Sequence, residues 1–202
     1  MAIVINGSGT VTGLAVGGLP DGTVDAGTLA TNSVDSAELV DGSIDTAHIG
    51  TDQITSAILP AGSVLQVVQA VSTTDTQLTT PTTWTGVSPS ATITPSSTSS
   101  KILVMHSASG ICQGSGVSHS MTLLRGSTKI KTNARMGYTS TTDYVPINWE
   151  FSYLDSPSTT SAVTYNLQIR LSGTGNVRHG DHSGSGVTPV NSGVTILMEI
   201  AG

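Results

Sequence analysis

The sequence predicts a mainly β protein in two parts, an N-terminal shaft of short repeats and a C-terminal antiparallel β-sandwich or jelly-roll-like domain. Three observations predict this division. An aliphatic residue recurs at every fifth position in the first third of the chain, apolar and polar residues alternate with period two after residue 62, and charged and aromatic residues are divided unevenly between the parts. We place the boundaries at residues 1–13 for an N-terminal segment, 14–60 for the shaft and 61–202 for the β-domain.

The repeat begins at Leu14 and continues without a break through eleven positions, each five residues after the last. Its members, here called the shaft series, are Leu14, Leu19, Val24, Leu29, Val34, Leu39, Ile44, Ile49, Ile54, Leu59 and Val64. The fuller unit has ten residues, as in DGSIDTAHIG, where an aspartate follows the first aliphatic. An internal repeat of this kind dictates the architecture of the segment that contains it.

A period of five matches neither regular structure. Five residues turn an α-helix by about 500°, so successive aliphatics would drift around its axis. In a strand, an odd spacing places them on alternate faces. We therefore predict a mixed unit, with a short extended piece, one helical turn capped at its N-terminus by Asp45, and a bend at Asp41-Gly42 between units.

One aliphatic residue in five cannot build a core within a single chain. Two interpretations remain for the segment. It is a disordered, low-complexity linker, or it is a shaft in which several chains wind round a common axis and pool their aliphatic side chains. A disordered linker has no need of eleven aliphatics in register, so the sequence favours the shaft.

The charge distribution narrows the choice of partners. Residues 1–60 hold seven acidic residues and no Lys or Arg, whereas residues 61–202 hold the other six acidic residues and all seven basic ones. Nucleic-acid binding requires clustered basic residues, which the shaft lacks. The aspartates of the repeat are too widely spaced for a calcium loop. There is neither a signal peptide nor an apolar run near 18 residues, so we expect no membrane insertion.

The β-domain is predicted from alternation. SAVTYNLQIRL and YVPINWEFSYL each carry five apolar residues on one face, and GVTILMEI offers Val194, Ile196, Met198 and Ile200 as its inward face. Further candidate strands are SVLQVVQAV, SATIT, KILVMHSA, HSMTLLRG and TKIKTNARM. About eight strands joined by Ser/Thr/Gly/Pro turns fit a sandwich or jelly roll.

Few residues are candidates for metal binding or for a reactive side chain. The cluster Arg178-His179-Gly180-Asp181-His182 could ligate a metal, but its glycine-flanked loop does little to fix a geometry, so a solvated loop touching a ligand is the preferred interpretation. Cys112 is the sole cysteine and is expected to be a small buried hydrophobe. We expect His48 to be exposed on the shaft, and His106 and His119 to be hydrogen-bonded residues of strands.

Catalysis is not predicted. The sequence lacks the Gly-x-Ser-x-Gly elbow, a phosphate loop and a dinucleotide fingerprint. Glu150 and Glu199 are expected on the outward faces of strands, where nothing pairs them for sugar hydrolysis. We therefore expect neither enzymatic activity nor a cofactor nor a bound metal.

Four stretches carry a family resemblance: MAIVINGSGTVTGLAVGGLPDGTVDAGTLA, LPAGSVLQVVQAV, ITPSSTSSKILVMHSASG and MTLLRGSTKI. Together they resemble the fibre proteins of tailed bacteriophages, especially those of marine and cyanobacterial hosts. The resemblance implies a homotrimer located in the virion, with an intertwined shaft and a β-rich distal knob. It further implies that residues 1–13 attach to a tail or head protein of the particle.

The resemblance also implies that the knob contacts the host surface, through a glycan or a protein. Aromatic and polar groups on loops are the usual tools for such contacts. The residues proposed for receptor binding are Tyr138, Asp143, Tyr144, Arg178, His179, Asp181 and His182. Two alternatives remain: a capsid decoration or head fibre protein without receptor binding, and a glycan-degrading spike. The second would need a longer parallel β-helix than 202 residues can hold beside the shaft.

Overall fold

The computed structural model describes residues 29, 31, 34, 39–51, 53–55, 58–73, 76–80, 82–140, 142–180 and 193–202. The chain divides into two units, Met1–Gln53 and Ile54–Gly202. The predicted attachment segment 1–13 and the shaft-series residues Leu14, Leu19 and Val24 lie outside the described residues. None of the described residues forms a helix long and apolar enough to cross a membrane.

Hydrogen-bonded turns recur every five residues in the described part of the repeat. The bonds are Ser43 N to Val40 O at 2.9 Å, His48 N to Asp45 O at 3.1 Å, Gln53 N to Gly50 O at 3.2 Å, Ile58 N to Thr55 O at 3.0 Å and Ser63 N to Pro60 O at 3.1 Å. Each is an i to i+3 bond, which closes a four-residue turn. Each turn is followed at once by a member of the shaft series, so the period of five is one turn plus one aliphatic residue.

Two local features of the repeat match the prediction. Gly42 has φ of 80°, the left-handed value that the third residue of a type II turn requires, so Asp41-Gly42 does form a bend. Asp45 Oδ1 accepts a bond from Ala47 N at 2.9 Å and lies 2.8 Å from His48 Nδ1. Where an extended piece was expected in each unit, the bonds from Ser43 N to Val40 O and from Gln53 N to Gly50 O instead close turns. His48 is exposed, as predicted.

The described residues of the second unit form ten strands. They are β1 (Val64–Ser72), β2 (Thr76–Thr79), β3 (Thr85–Ile93), β4 (Lys101–Gln113), β5 (Val117–Arg125), β6 (Thr128–Thr139), β7 (Val145–Asp155), β8 (Val163–Leu171), β9 (Asn176–His179) and β10 (Gly193–Ile200). Every predicted strand segment is present, and β2 and β9 are two short additions. All the strand pairs are antiparallel.

The strands form two sheets. The first has the order β1-β10-β4-β7, with the short pair β9-β2 attached along the β10 side of β4, and the second has the order β3-β8-β5-β6. Without β2 and β9, this is the order of the eight strands of a jelly roll. Chain neighbours such as β3 and β4 therefore lie in opposite sheets, which confirms the predicted antiparallel β-sandwich.

The core lies between the two sheets. Alternate residues of β8 point inward, from Val163 at 8% exposed to Ile169 at 0%. In β7 the residues Trp149 and Phe151 are buried between exposed neighbours, as the alternation predicts. Cys112 is 1% exposed, and burial raises the pKa of its thiol to about 12, so it behaves as the expected small hydrophobe.

The orientation predicted for β10 is wrong. Thr195, Leu197 and Glu199 point into the sandwich and are at most 1% exposed. Val194, Ile196, Met198 and Ile200 occupy the opposite, outer face. Both faces of this strand carry apolar residues, so hydrophobicity alone did not identify the buried one.

Candidate functional site

Three connections meet at one end of the sandwich. They are the β4–β5 turn around Gly114, the β6–β7 loop at residues 140–144, and the β8–β9 connection at residues 172–175. Gln113 Nε2 donates to Thr142 O at 2.8 Å, and Gln113 Oε1 accepts from Asn176 Nδ2 at 2.8 Å, so the loops are tied together. Thr139 Oγ1 also donates to Gly114 O at 2.5 Å.

A cleft of about 350 Å³ opens beside these loops, and we call it the Arg135 cleft. It is lined by Gly116, Ser118, Arg135, Gly137, Tyr138 and Ser172. Tyr138 is 67% exposed, so its ring is available to a ligand. The Ser172 hydroxyl accepts from the backbone N–H of Ser118 at 2.9 Å, which joins two walls of the cleft.

Arg135 reaches this cleft through an unusual backbone. Its φ is 54°, in the left-handed region that non-glycine residues seldom adopt. The strand register between β5 and β6 shifts here, because His119 pairs with Gly137 while Met121 pairs with Asn133. Such a bulge redirects the side chain that it carries. The Arg135 N–H is held by the Ser120 hydroxyl at 3.1 Å.

Gly137 completes the bulge because no larger residue fits. A Cβ built at Gly137 would collide with the His119 ring, which lies directly behind the strand. The His119 ring in turn meets Trp149 edge-on, with ring centroids 5.3 Å apart. The floor of the cleft is therefore fixed by core packing, and its rim carries an exposed guanidinium, a phenol and serine hydroxyls.

These groups are of types that recognise ligands. A guanidinium presents paired donors to a carboxylate, sulfate or phosphate. An exposed tyrosine offers an apolar ring face and a hydroxyl, as ligand sites commonly do. The cleft thus has the chemistry to bind an acidic sugar.

The structure divides the predicted receptor-binding residues. Tyr138 and Tyr144 are 67% and 58% exposed and flank the β6–β7 loop, and Asp143 beside them is exposed as well. Arg178 lies partly buried in β9, at the same end of β4 as Gln113. Asp181 and His182 lie outside the described residues.

The prediction for His179 needs correction. It was expected in a solvated loop, but it is the last residue of β9 and only 1% exposed. Its Nε2 lies 2.9 Å from His106 Nε2, and the two ring planes are 15° apart. Burial, followed by the neighbouring His179, lowers the pKa of His106 to about 3, and burial lowers the pKa of His179 to about 4. His179 is a neutral core residue.

His119 was expected to be hydrogen-bonded, but in the described part of the chain its Nδ1 and the Nδ1 of His179 are buried without a hydrogen-bond partner. Among the described residues, no group of three or more His, Cys, Asp or Glu side chains is placed to hold a metal ion. Glu199, expected on an outward face, is fully buried and accepts bonds from Ser96 N and Gln66 Nε2 at 2.7 and 2.5 Å. Burial opposes its ionisation, but hydrogen bonds outweigh that effect and lower the pKa of Glu199.

Sequence reasoning did not identify Arg135, Ser118 or Ser172. The only signal was that the apolar alternation of the predicted strand fails within NARMGY, where the bulge occurs. A bulge depends on the pairing partner, which the sequence of one strand does not specify.

Comparison with known proteins gives no family assignment. No protein-family model matches the chain, and no curated protein matches it. Among solved structures, the infectious bursal disease virus Gx strain is similar at 15% identity and a TM-score of 0.37, over 69% of this chain and 38% of that one. The T13 particle of the same virus is similar at 16% identity and a TM-score of 0.38, over 76% of this chain and 39% of that one. Its VP2 subviral particle gives 14% identity and a TM-score of 0.38. The chain therefore spans 38–40% of the length of these matched chains.

Proposed function

We propose that this chain is a structural fibre protein of a virus particle, of the tailed-bacteriophage type. In this proposal three copies wind their N-terminal repeats into a shaft, residues 1–13 attach to a tail or head protein, and the jelly roll is a knob for recognising the host surface. The protein is non-catalytic and binds no cofactor.

The observation that carries the proposal is the series of turns ending at the knob. Five consecutive turns start at residues 40, 45, 50, 55 and 60, and each is followed by one aliphatic residue of the shaft series. Within the chain four of these side chains stay exposed, Ile44 at 50%, Ile49 at 39%, Ile54 at 52% and Val64 at 52%, and Leu59 is half-buried. Neighbouring copies would bury them, at about 1.5 kcal/mol or more for each side chain.

The host-binding part of the proposal depends on the Arg135 cleft and the loop beside it. The exposed rings of Tyr138 and Tyr144 and the guanidinium of Arg135 lie at one end of the sandwich, on a frame fixed by hydrogen bonds. Recognition residues commonly occupy loops held by a rigid scaffold. We therefore assign receptor binding to this end, with an acidic surface glycan as the preferred ligand.

Adsorption of virus particles to host cells tests this assignment. Tyr138→Ala, Tyr144→Ala and Arg135→Ala are each expected to reduce adsorption at least tenfold, without changing the sedimentation coefficient of the fibre. Ser90→Ala, an exposed change in β3 at the opposite edge of the sheet that contains β6, is the matched control. Unchanged adsorption in all three variants would remove the receptor role and favour a decoration or head fibre protein. A chain that sediments as a stable monomer would remove the fibre itself.

A further inference from the structure

The outer face of the sheet β1-β10-β4-β7 is unusually apolar. Cross-strand pairing defines its rows, since residues directly opposite one another point to the same side. One row is Val67, Met198, Leu103 and Leu154, and the next is Gln69, Ile196, Met105 and Ser152. A third row is Val71, Val194, Ser107 and Glu150. We call these rows, together with Val64 and Ile200, the outer apolar face.

Several of its side chains are strongly exposed. Val67 is 57% exposed, Leu154 48% and Met105 40%. Alternation in an antiparallel sheet normally places polar residues on the water side. In β10 the arrangement is reversed, because Thr195 and Glu199 are inside while Ile196 and Met198 are outside. An exposed apolar face of this kind marks an interaction surface.

The most apolar row of this face lies next to the row where the shaft enters, which itself consists of Val64, Ile200 and Lys101. Val64 is the last member of the shaft series and also the first residue of β1, where it pairs with Ile200 on this same face. The row beyond it is wholly apolar, the next is half polar, and the third contains the carboxylate of Glu150. The shaft series therefore continues directly into the outer apolar face.

The size of the face also bears on its partner. Four strands about 4.8 Å apart and rows about 7 Å apart cover roughly 14 by 20 Å, or on the order of 300 Å². A stable complex between independent proteins needs about 800 Å² on each partner. A copy of this chain that is already held close through the shaft needs much less, because its effective concentration is high.

We infer that the outer apolar face is the contact between copies of this chain within the knob, so that each β1-β10-β4-β7 sheet faces the shared axis. This inference rests on the proposed multi-chain shaft. A depression of about 420 Å³, lined in part by Met105, Val194 and Ile196, can receive an apolar side chain of the neighbouring copy. The sheet β3-β8-β5-β6 and the Arg135 cleft then remain accessible.

Thiol labelling of the full-length chain tests the contact. Cys112 is 1% exposed and gives little background, so single cysteines can be introduced at Met105 and, as a control on the other sheet, at exposed Ser90. In the assembled protein, Met105→Cys is expected to react with a maleimide at least tenfold more slowly than Ser90→Cys. In denaturant the two rates should become equal.

Each outcome distinguishes the inference from the proposed function. A multimer in which both cysteines react equally fast would overturn the contact and leave the fibre intact. A wild-type chain that sediments as a monomer would overturn the fibre itself. As a second variant, Val67→Glu is expected to weaken association of the copies at least tenfold while each chain keeps its β-sheet circular dichroism, because the Val67 side chain is 57% exposed within its own chain. Association at the wild-type strength would contradict the inference.

Discussion

His106 and His179 share a hydrogen bond between their Nε2 atoms, 2.9 Å apart, within the core of the sandwich. The Thr195 hydroxyl donates to Pro89 O, so it accepts from His106 Nδ1 at 2.9 Å. His106 Nε2 is then the acceptor, and His179 donates to it. This chain of bonds requires His106 to be neutral, because a proton on its Nε2 would leave two donors facing each other.

Acid should therefore destabilise the knob. Burial lowers the pKa of His106 to about 3 and that of His179 to about 4, against about 6.5 in an unfolded chain. Below pH 6.5 the unfolded chain binds more protons than the folded one, so the free energy of unfolding decreases as the pH is lowered. Between pH 6.5 and 4 the slope for the pair approaches about 2.7 kcal/mol per pH unit. Urea unfolding at a series of pH values measures this slope of the free energy of unfolding against pH.

Two variants check the origin of that slope. His106→Gln removes one of the buried groups and should reduce the slope by about 1.4 kcal/mol per pH unit, whatever its effect at pH 7. His48→Gln changes an exposed histidine of the repeat and should leave the slope as it was. If His106→Gln keeps the wild-type slope, the buried pair is not the source of the acid sensitivity.

The sequence predicted the sandwich because the alternation of apolar and polar residues identifies a strand and its buried face when the two faces differ clearly. β8 is such a case, with Tyr165 and Leu167 on one face and Asn166 and Gln168 on the other. In β10 the alternation failed, because Ile196 and Met198 are as apolar as the inward Leu197. Glu199 is tolerated inside because Ser96 and Gln66, both far away in sequence, hydrogen-bond to it. Long-range partners of this kind, like the bulge at Arg135, are not encoded in one strand alone.

Gly110 and Gly137 are predicted to be irreplaceable for steric reasons. A Cβ at Gly110 would collide with Arg178 O and lie 2.6 Å from Trp149 Nε1, and one at Gly137 would collide with the His119 ring. Alanine at either position should destabilise the knob by about 2 kcal/mol or more. Gly86→Ala is the control, since nothing lies within 4 Å of its Cβ position, and its effect should stay within about 0.5 kcal/mol. Thermal unfolding of the three variants measures these losses of stability, and a Gly86→Ala loss as large as the other two would contradict the steric explanation.

Asp155 links the two sheets through two partners. Its Oδ2 accepts from the Tyr165 hydroxyl at 2.7 Å and from Arg125 Nη1 at 3.1 Å. Asp155→Ala would leave the buried phenol unpaired and should cost about 2 to 3 kcal/mol. Tyr165→Phe loses one hydrogen bond and leaves the ion pair, so about 1 kcal/mol is expected. Glu150→Ala, an exposed change on the same strand, should be near neutral in urea unfolding. Equal losses for Asp155→Ala and Glu150→Ala would contradict the assignment.

The neighbours Leu39 and Val40 provide the sharpest test of the shaft. Leu39 belongs to the shaft series and is 43% exposed, whereas Val40 begins a turn outside the series and is 77% exposed. If copies pack along the series, Leu39→Asp places an unpaired carboxylate at the contact in each copy, which is strongly unfavourable. Val40→Asp adds the same charge to a side chain that faces water. Analytical ultracentrifugation should show dissociation at least tenfold stronger for Leu39→Asp, while Val40→Asp assembles normally. Similar behaviour of the two variants would mean that the series does not face the axis, and that a different surface of the repeat holds the copies together.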